Sequence, residues 1–192
     1  TIEPFVRGAF TSLQGLAIAG NVLFVSDYSK GLFAIDRRTR DVHALRVPQN
    51  ASLLGIDGLY AAGERTLIAT QNGTNPFRVL RIELERGALA VSSVVPLLAN
   101  SELMGDPTLG VIANNRFYFN GNAQWDLFGD DGKIADPPPE RDGLPDELLG
   151  FVAGFRGGDA AGQVRYICRP VRVASLKDDG VLNHLCGLSP PG

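Results

Sequence analysis

The chain has 192 residues, 44% of them apolar and 20% charged, a mixture able to bury a core. A net charge of −3 without a basic run argues against a nucleic-acid surface, and no apolar stretch is long enough to span a membrane. Thr1 opens the chain without a basic-then-apolar leader, and a first residue other than Met hints at a start that has been cut away.

In chain order, three stretches share one layout. Gln14 to Ala19, the turn Gly20-Asn21 and Val22 to Asp27 form the first. Asp57 to Ala62, the turn Gly63-Glu64-Arg65 and Thr66 to Gln71 form the second. The third is Thr108 to Ala113, Asn114-Asn115 and Arg116 to Gly121. Each is a short apolar strand, a tight polar turn and a β-branched or aromatic strand, the pattern of a hairpin.

The segments after the hairpins recur as well. Gly31 to Asp36 and Val42 to Val47 supply two further strands in the first copy, and Arg78 to Leu84 and Ala88 to Val95 do so in the second. The third copy offers Trp125 to Phe128 before the Asp131-Gly132 turn. The spacings of about 43 and about 51 residues are those of propeller blades. A single antiparallel sandwich also has short, regularly turned strands. The aligned hairpins and the matching ends Ser26-Asp27, Thr70-Gln71 and Asn120-Gly121 favour the repeat.

The expected fold is therefore all-β: a β-propeller of about three four-stranded blades, a partial ring, with an irregular tail. The ring covers residues 1–136, with blades at about 10–50, 53–100 and 104–136, and the loop-rich tail covers 137–192. In the tail, Leu144 to Phe151 suits a short helix with Asp146 and Glu147 in its first turn. Gln163 to Leu176 alternates as one strand broken at Pro170, and Asp179-Gly180 turns it toward Val181-Leu182. Cys168 and Cys186 match neither a redox pair nor a zinc set and read as buried thiols rather than a disulfide, which leaves the compartment open. The triplets at Asn50 and Asn72 read as turn chemistry rather than glycosylation.

In an antiparallel blade the start of the first strand and the end of the second share one face. Gln14, Asp57 and Asp106 to Thr108 sit at first-strand starts, and Asp27, Gln71-Asn72 and Asn120 to Asn122 at second-strand ends. Their carboxylate and amide oxygens would gather at the axis, as a hard divalent cation such as calcium requires. The competing reading makes them turn residues that hold strand ends, and for Asp27, Asn120 and Asn122 it is the stronger one. Asp57, flanked by Ile56 and Gly58-Leu59, has no basic neighbour and reads as functional. Asn72, Asp106, Thr108 and Asn122 join Asp27 as channel-mouth candidates.

Ser12 to Leu16, Leu23 to Tyr28, Leu54 to Leu59, Gln71-Asn72-Gly73 and Asn122 to Asp126 resemble the senescence marker protein, gluconolactonase and luciferin-regenerating enzyme family over about residues 1–135. The resemblance implies the C-terminal half of a six-bladed propeller with an axial divalent metal, often calcium, with zinc or magnesium as alternatives. It further implies hydrolysis of small lactones or related esters. Asp57-Gly58 is similar to the family's metal-binding Asp-Gly and would supply both a ligand and the candidate base. Gln14-Gly15-Leu16 occupies the position of a metal-binding asparagine but carries one more methylene. The family's glutamate, from the first blade, has no match, so this fragment is expected to be inactive by itself.

Other chemistries lack their signatures. There is no G-x-S-x-G or H-E-x-x-H, and Gly157-Gly158 with Gly162 is not a dinucleotide fingerprint. His43 and His184 read as ordinary surface or edge histidines, and Trp125 as a core residue between blades. The rival to the hydrolase is a non-catalytic propeller that presents its polar face to a ligand or partner. Three blades also leave two open ends, so the chain is expected to self-associate or to pair with a missing N-terminal half.

Overall fold

A computed structural model describes residues 1–8, 10–101, 104–114, 116–123, 129 and 133, and the backbone of 148–154 and 169–172. Among these residues there are twelve strands and no helix. The first sheet holds β1 (Leu13–Ala19), β2 (Val22–Asp27), β3 (Gly31–Asp36) and β4 (Val42–Ala44). The second holds β5 (Ile56–Ala61), β6 (Thr66–Gln71), β7 (Arg78–Leu84) and β8 (Val91–Ala99). The third holds β9 (Gly110–Ala113), β10 (Arg116–Phe119), β11 (Leu148–Gly154) and β12 (Arg169–Arg172).

Each sheet is a four-stranded antiparallel meander in chain order. Most of the strands are short apolar runs with many β-branched and aromatic side chains, which suits sheets packed on both faces. The tightest hairpins need a left-handed residue. Gly20, with φ of 58°, supplies it between β1 and β2, and Asn114, with φ of 50°, between β9 and β10.

The sheets stack through two apolar layers. Ala17, Phe24, Leu32 and Ala34 of the first meet Leu59, Leu67, Leu80 and Ile82 of the second. Ile68, Val79 and Leu97 of the second meet Phe117 and Phe119 of the third, with Met104 between. The first strands lie innermost and adjacent, β1 beside β5 and β5 beside β9. Three stacked meanders with neighbouring first strands make a partial β-propeller.

The approach of β1 to β5 is close enough to require glycine. A Cβ on Gly15 would lie 2.5 Å from the Leu59 backbone nitrogen and 2.8 Å from the Asp57 carbonyl oxygen. Thr70 ties β6 to the third blade by donating its hydroxyl to the Thr108 carbonyl, and the Gly110 N–H donates to the Tyr60 hydroxyl.

The third blade differs from the sequence expectation. Its outer strands come from 148–154 and 169–172, residues assigned above to the tail, so the blade extends well past 136. Leu148 to Phe151, expected in a helix, belongs to β11 and pairs with β12 and, at Phe151, with β10. The apolar run Leu148 to Val152 suits a strand between two others as well as it suits a helix turn. Pro170 sits in β12, the outermost strand of this sheet among the described residues, the kind of position where a sheet admits proline. Trp125, His184 and both cysteines lie outside the described residues.

Candidate functional site

The site is built where the inner strands begin. In β1, Leu13 pairs with Asp27 and Leu16 with Val25, so Gln14 and Gly15 together oppose Ser26. In β5, Ile56 pairs with Gln71 and Gly58 with Thr70, so Asp57 is an extra residue. Both are β-bulges, which bend a strand and re-aim a side chain. The ladder bond lost at each bulge is replaced by a hydroxyl. Gly15 N–H donates to Ser26 Oγ at 2.7 Å, and Gly58 N–H donates to Thr70 Oγ1 at 2.8 Å.

These bulges place Gln14 and Asp57 beside a cleft of about 370 Å³, lined also by Tyr28, Asn72, Phe77 and Asp106. Asp106 precedes β9, and its carbonyl accepts from Ala123 N–H at 2.9 Å. The three residues that precede or open the inner strands therefore share one space, as the blade topology requires.

Within the cleft, Tyr28 donates its hydroxyl to Asn72 Oδ1 at 3.1 Å. Asn72 Nδ2 in turn donates to Asp57 Oδ2 at 3.3 Å. The direction of this relay follows from charge: an ionised Asp57 only accepts, so the amide NH₂ must face it and the carbonyl must face the phenol. Tyr28 is clamped across two blades. Its carbonyl accepts from Gly55 N–H at 2.8 Å, and a Cβ on Gly73 would strike its ring at 2.7 Å.

Burial raises the Asp57 carboxyl above its ordinary value, and the Asn72 hydrogen bond offsets this only in part. The Tyr28 phenol is also raised, first by burial and then by the charges of Asp106 and Asp57. Both carboxylates thus act on one phenol, and among the described residues no Lys, Arg or His lines the cleft.

Of the sequence candidates, Gln14, Asp57, Asn72 and Asp106 line the cleft. Asp27 does not. It is fully buried, and its two oxygens accept from Thr11 and Ser12 on one side and Ser29 and Lys30 on the other. Burial pushes its carboxyl up, but these backbone hydrogen bonds and the Lys30 charge together bring it below the ordinary value. It acts as a turn residue. Thr108 is buried and meets Thr70 through its backbone carbonyl. Asn122 is buried against Gly105, and its N–H donates to Asn120 Oδ1. Tyr28 and Phe77 were not singled out from sequence, although Tyr28 directly follows the Ser26-Asp27 strand end.

The donors offered are all oxygen: two carboxylates and two amides, with the Asn72 carbonyl already engaged by Tyr28. Such a set suits a hard cation that keeps part of its water shell, and lacks the nitrogen or sulfur of most zinc sites. Among the described residues, no three His, Cys, Asp or Glu side chains cluster as a ready cage.

No protein-family model and no curated protein matches this sequence. Among solved structures, the PQQ-bound form of aldose sugar dehydrogenase from Streptomyces coelicolor is similar, with a TM-score of 0.48 at 16% identity. The match covers 80% of this chain and 59% of that one. At this distance no residue role carries over from one protein to the other.

Proposed function

We propose that the cleft is a divalent-cation site, calcium before magnesium, serving the binding and hydrolysis of a small cyclic ester such as a lactone. The observation that carries this reading is the convergence of Asp57 and Asp106 on Tyr28 in a cleft lined, among the described residues, by no basic side chain. Burial opposes the ionised form of Asp57, and a bound cation would favour it.

Asp57, Asp106 and the Gln14 amide oxygen would hold the ion. When bound, it would polarise an ester carbonyl and lower the pKa of water. Asp57, made more basic by burial, is the candidate to accept a proton from that water. Asn72 occupies one Asp57 oxygen and leaves the other for the ligand. Tyr28 and Phe77 supply aromatic surface for a small ring.

Isothermal titration of the chain with calcium and with magnesium tests the cation site, with Asp57→Ala as control. Saturable binding that the substitution abolishes supports it, and no binding by the wild-type chain overturns it. A lactone panel at saturating calcium then tests hydrolysis. A second reading, a propeller that binds a ligand without turning it over, is favoured by the lack of a third acidic group among the described residues. Calcium binding without turnover would select it.

A further inference from the structure

Tyr28 belongs to the first blade, one residue beyond β2, yet part of its seat is made by the second. Its carbonyl accepts from Gly55 N–H at 2.8 Å, and the Gly55 carbonyl accepts from Gly73 N–H at 3.0 Å. Gly55 has a φ of 70°, and a Cβ there would lie 2.5 Å from the Gly73 Cα. A Cβ on Gly73 would lie 2.7 Å from the Tyr28 ring and 2.8 Å from its hydroxyl. Two glycines are needed to bring this one phenol to the cleft.

Packing by itself asks only for the ring. Phenylalanine would fill the same place, because Gly73 presents only backbone to it. What tyrosine adds is a hydroxyl that donates to Asn72 Oδ1 at 3.1 Å. The Asn72 amide is thereby held at both ends, its carbonyl by the phenol and its NH₂ by Asp57 Oδ2 at 3.3 Å. The terminal torsion of asparagine is broad, so an amide held at one end turns easily. Held at both, it keeps one Asp57 oxygen engaged and leaves the other to a ligand. The phenol stays a donor at neutral pH, since burial and the charges of Asp106 and Asp57 raise it above its ordinary range.

We propose that Tyr28 is a positioning residue: its hydroxyl, acting through the Asn72 amide, fixes the orientation of the Asp57 carboxylate in the cleft. The first blade thus sets a side chain of the second. The consequence for cation binding rests on the reading of Asp57 as a ligand given above, and the orientation itself does not. Carboxylates that hold metals are commonly held in turn by hydrogen bonds, and losing such a partner costs about tenfold or more in metal affinity.

Tyr28→Phe keeps the ring and removes the hydroxyl. Crystal structures of the wild-type chain and this variant, both without metal, read the orientation. The variant is expected to show Asp57 or Asn72 in a second rotamer, with their 3.3 Å contact lengthened or split. A contact unchanged from the wild type overturns the proposal. Calcium titration of the wild type, Tyr28→Phe, Asn72→Ala and the double variant reads the consequence. Each single substitution is expected to weaken binding about tenfold, and the double variant no further than the weaker-binding single, because both break one relay. Wild-type affinity in Tyr28→Phe overturns the proposal, even if the thermal midpoint falls, since a hydroxyl that merely joins the blades would act on stability alone. Losses that multiply in the double variant overturn it too. No calcium binding by the wild type, with the contact displaced in Tyr28→Phe, overturns the cation reading and supports the positioning role.

Discussion

Thr70 Oγ1 accepts the Gly58 N–H at 2.8 Å, and the same hydroxyl donates its proton to the Thr108 carbonyl of the next blade. One side chain thereby completes the bulge that carries Asp57 and joins two blades. Thr70→Val keeps the shape but leaves a buried N–H and a buried carbonyl without partners. The expected loss is about 2–4 kcal/mol, read from the urea midpoint. Thr70→Ser should retain most of the stability. An unchanged midpoint in the valine variant would refute the dual role.

Gly15 carries the corresponding prediction on packing. A methyl group there would meet the Leu59 nitrogen at 2.5 Å, and that partner is backbone, which yields poorly. Gly15→Ala should destabilise by about 1–3 kcal/mol or more, measured by thermal unfolding. Gly20→Ala is a contrasting case: its Cβ would meet nothing within 4 Å, and only the φ of 58° resists it. The cost there should be about 1 kcal/mol.

Much of the fold is legible in the sequence. Strands β2, β3, β6 and β7 are readable to their ends because turn residues bound short β-branched or aromatic runs there. The shared cleft of Gln14, Asp57 and Asp106 follows from antiparallel direction alone. The third blade is not readable beyond β10, because a long stretch of sequence separates its second strand from its third and the apolar run Leu148 to Phe151 suits a helix turn as well as a strand. Tyr28 escapes notice because it lies one residue beyond a strand, and only the fold brings it to Asn72 across the blade boundary. Asp27 and Asp57 are both aspartates at strand ends, and their different surroundings arise from loops, Thr11-Ser12 against Asn72, that no local pattern announces.

Asp57 links stability to ligand binding. Its carboxyl is raised in the folded chain, so the ionised form opposes folding. The penalty is absent below the unfolded value of about 3.8, grows as pH rises from there, and is complete above the folded value. Asp57→Asn should therefore raise the thermal midpoint at neutral pH and weaken calcium binding at least about tenfold, or about 1.4 kcal/mol. A variant both less stable and equally competent for calcium would contradict this assignment.

Asp27 has the opposite sign. Its lowered carboxyl contributes stability that is fully present above the unfolded value of about 3.8 and is lost as pH falls through the folded value. Asp27→Asn should lower the midpoint at neutral pH and flatten the acid limb of the stability curve. Calorimetry from about pH 6 down into the acid range measures both effects. Parallel acid limbs for the two proteins would remove Asp27 from this role.

Because hydroxyls, not ladder partners, satisfy the amides of Gly15 and Gly58, the sheets do not depend on what the preceding residue is. Glutamine and aspartate already occupy these two sockets with the same backbone around them. The lining of the axis can thus be rewritten one position at a time while the scaffold stays as it is, and a protein built this way can change its chemistry by point substitution rather than by remodelling loops.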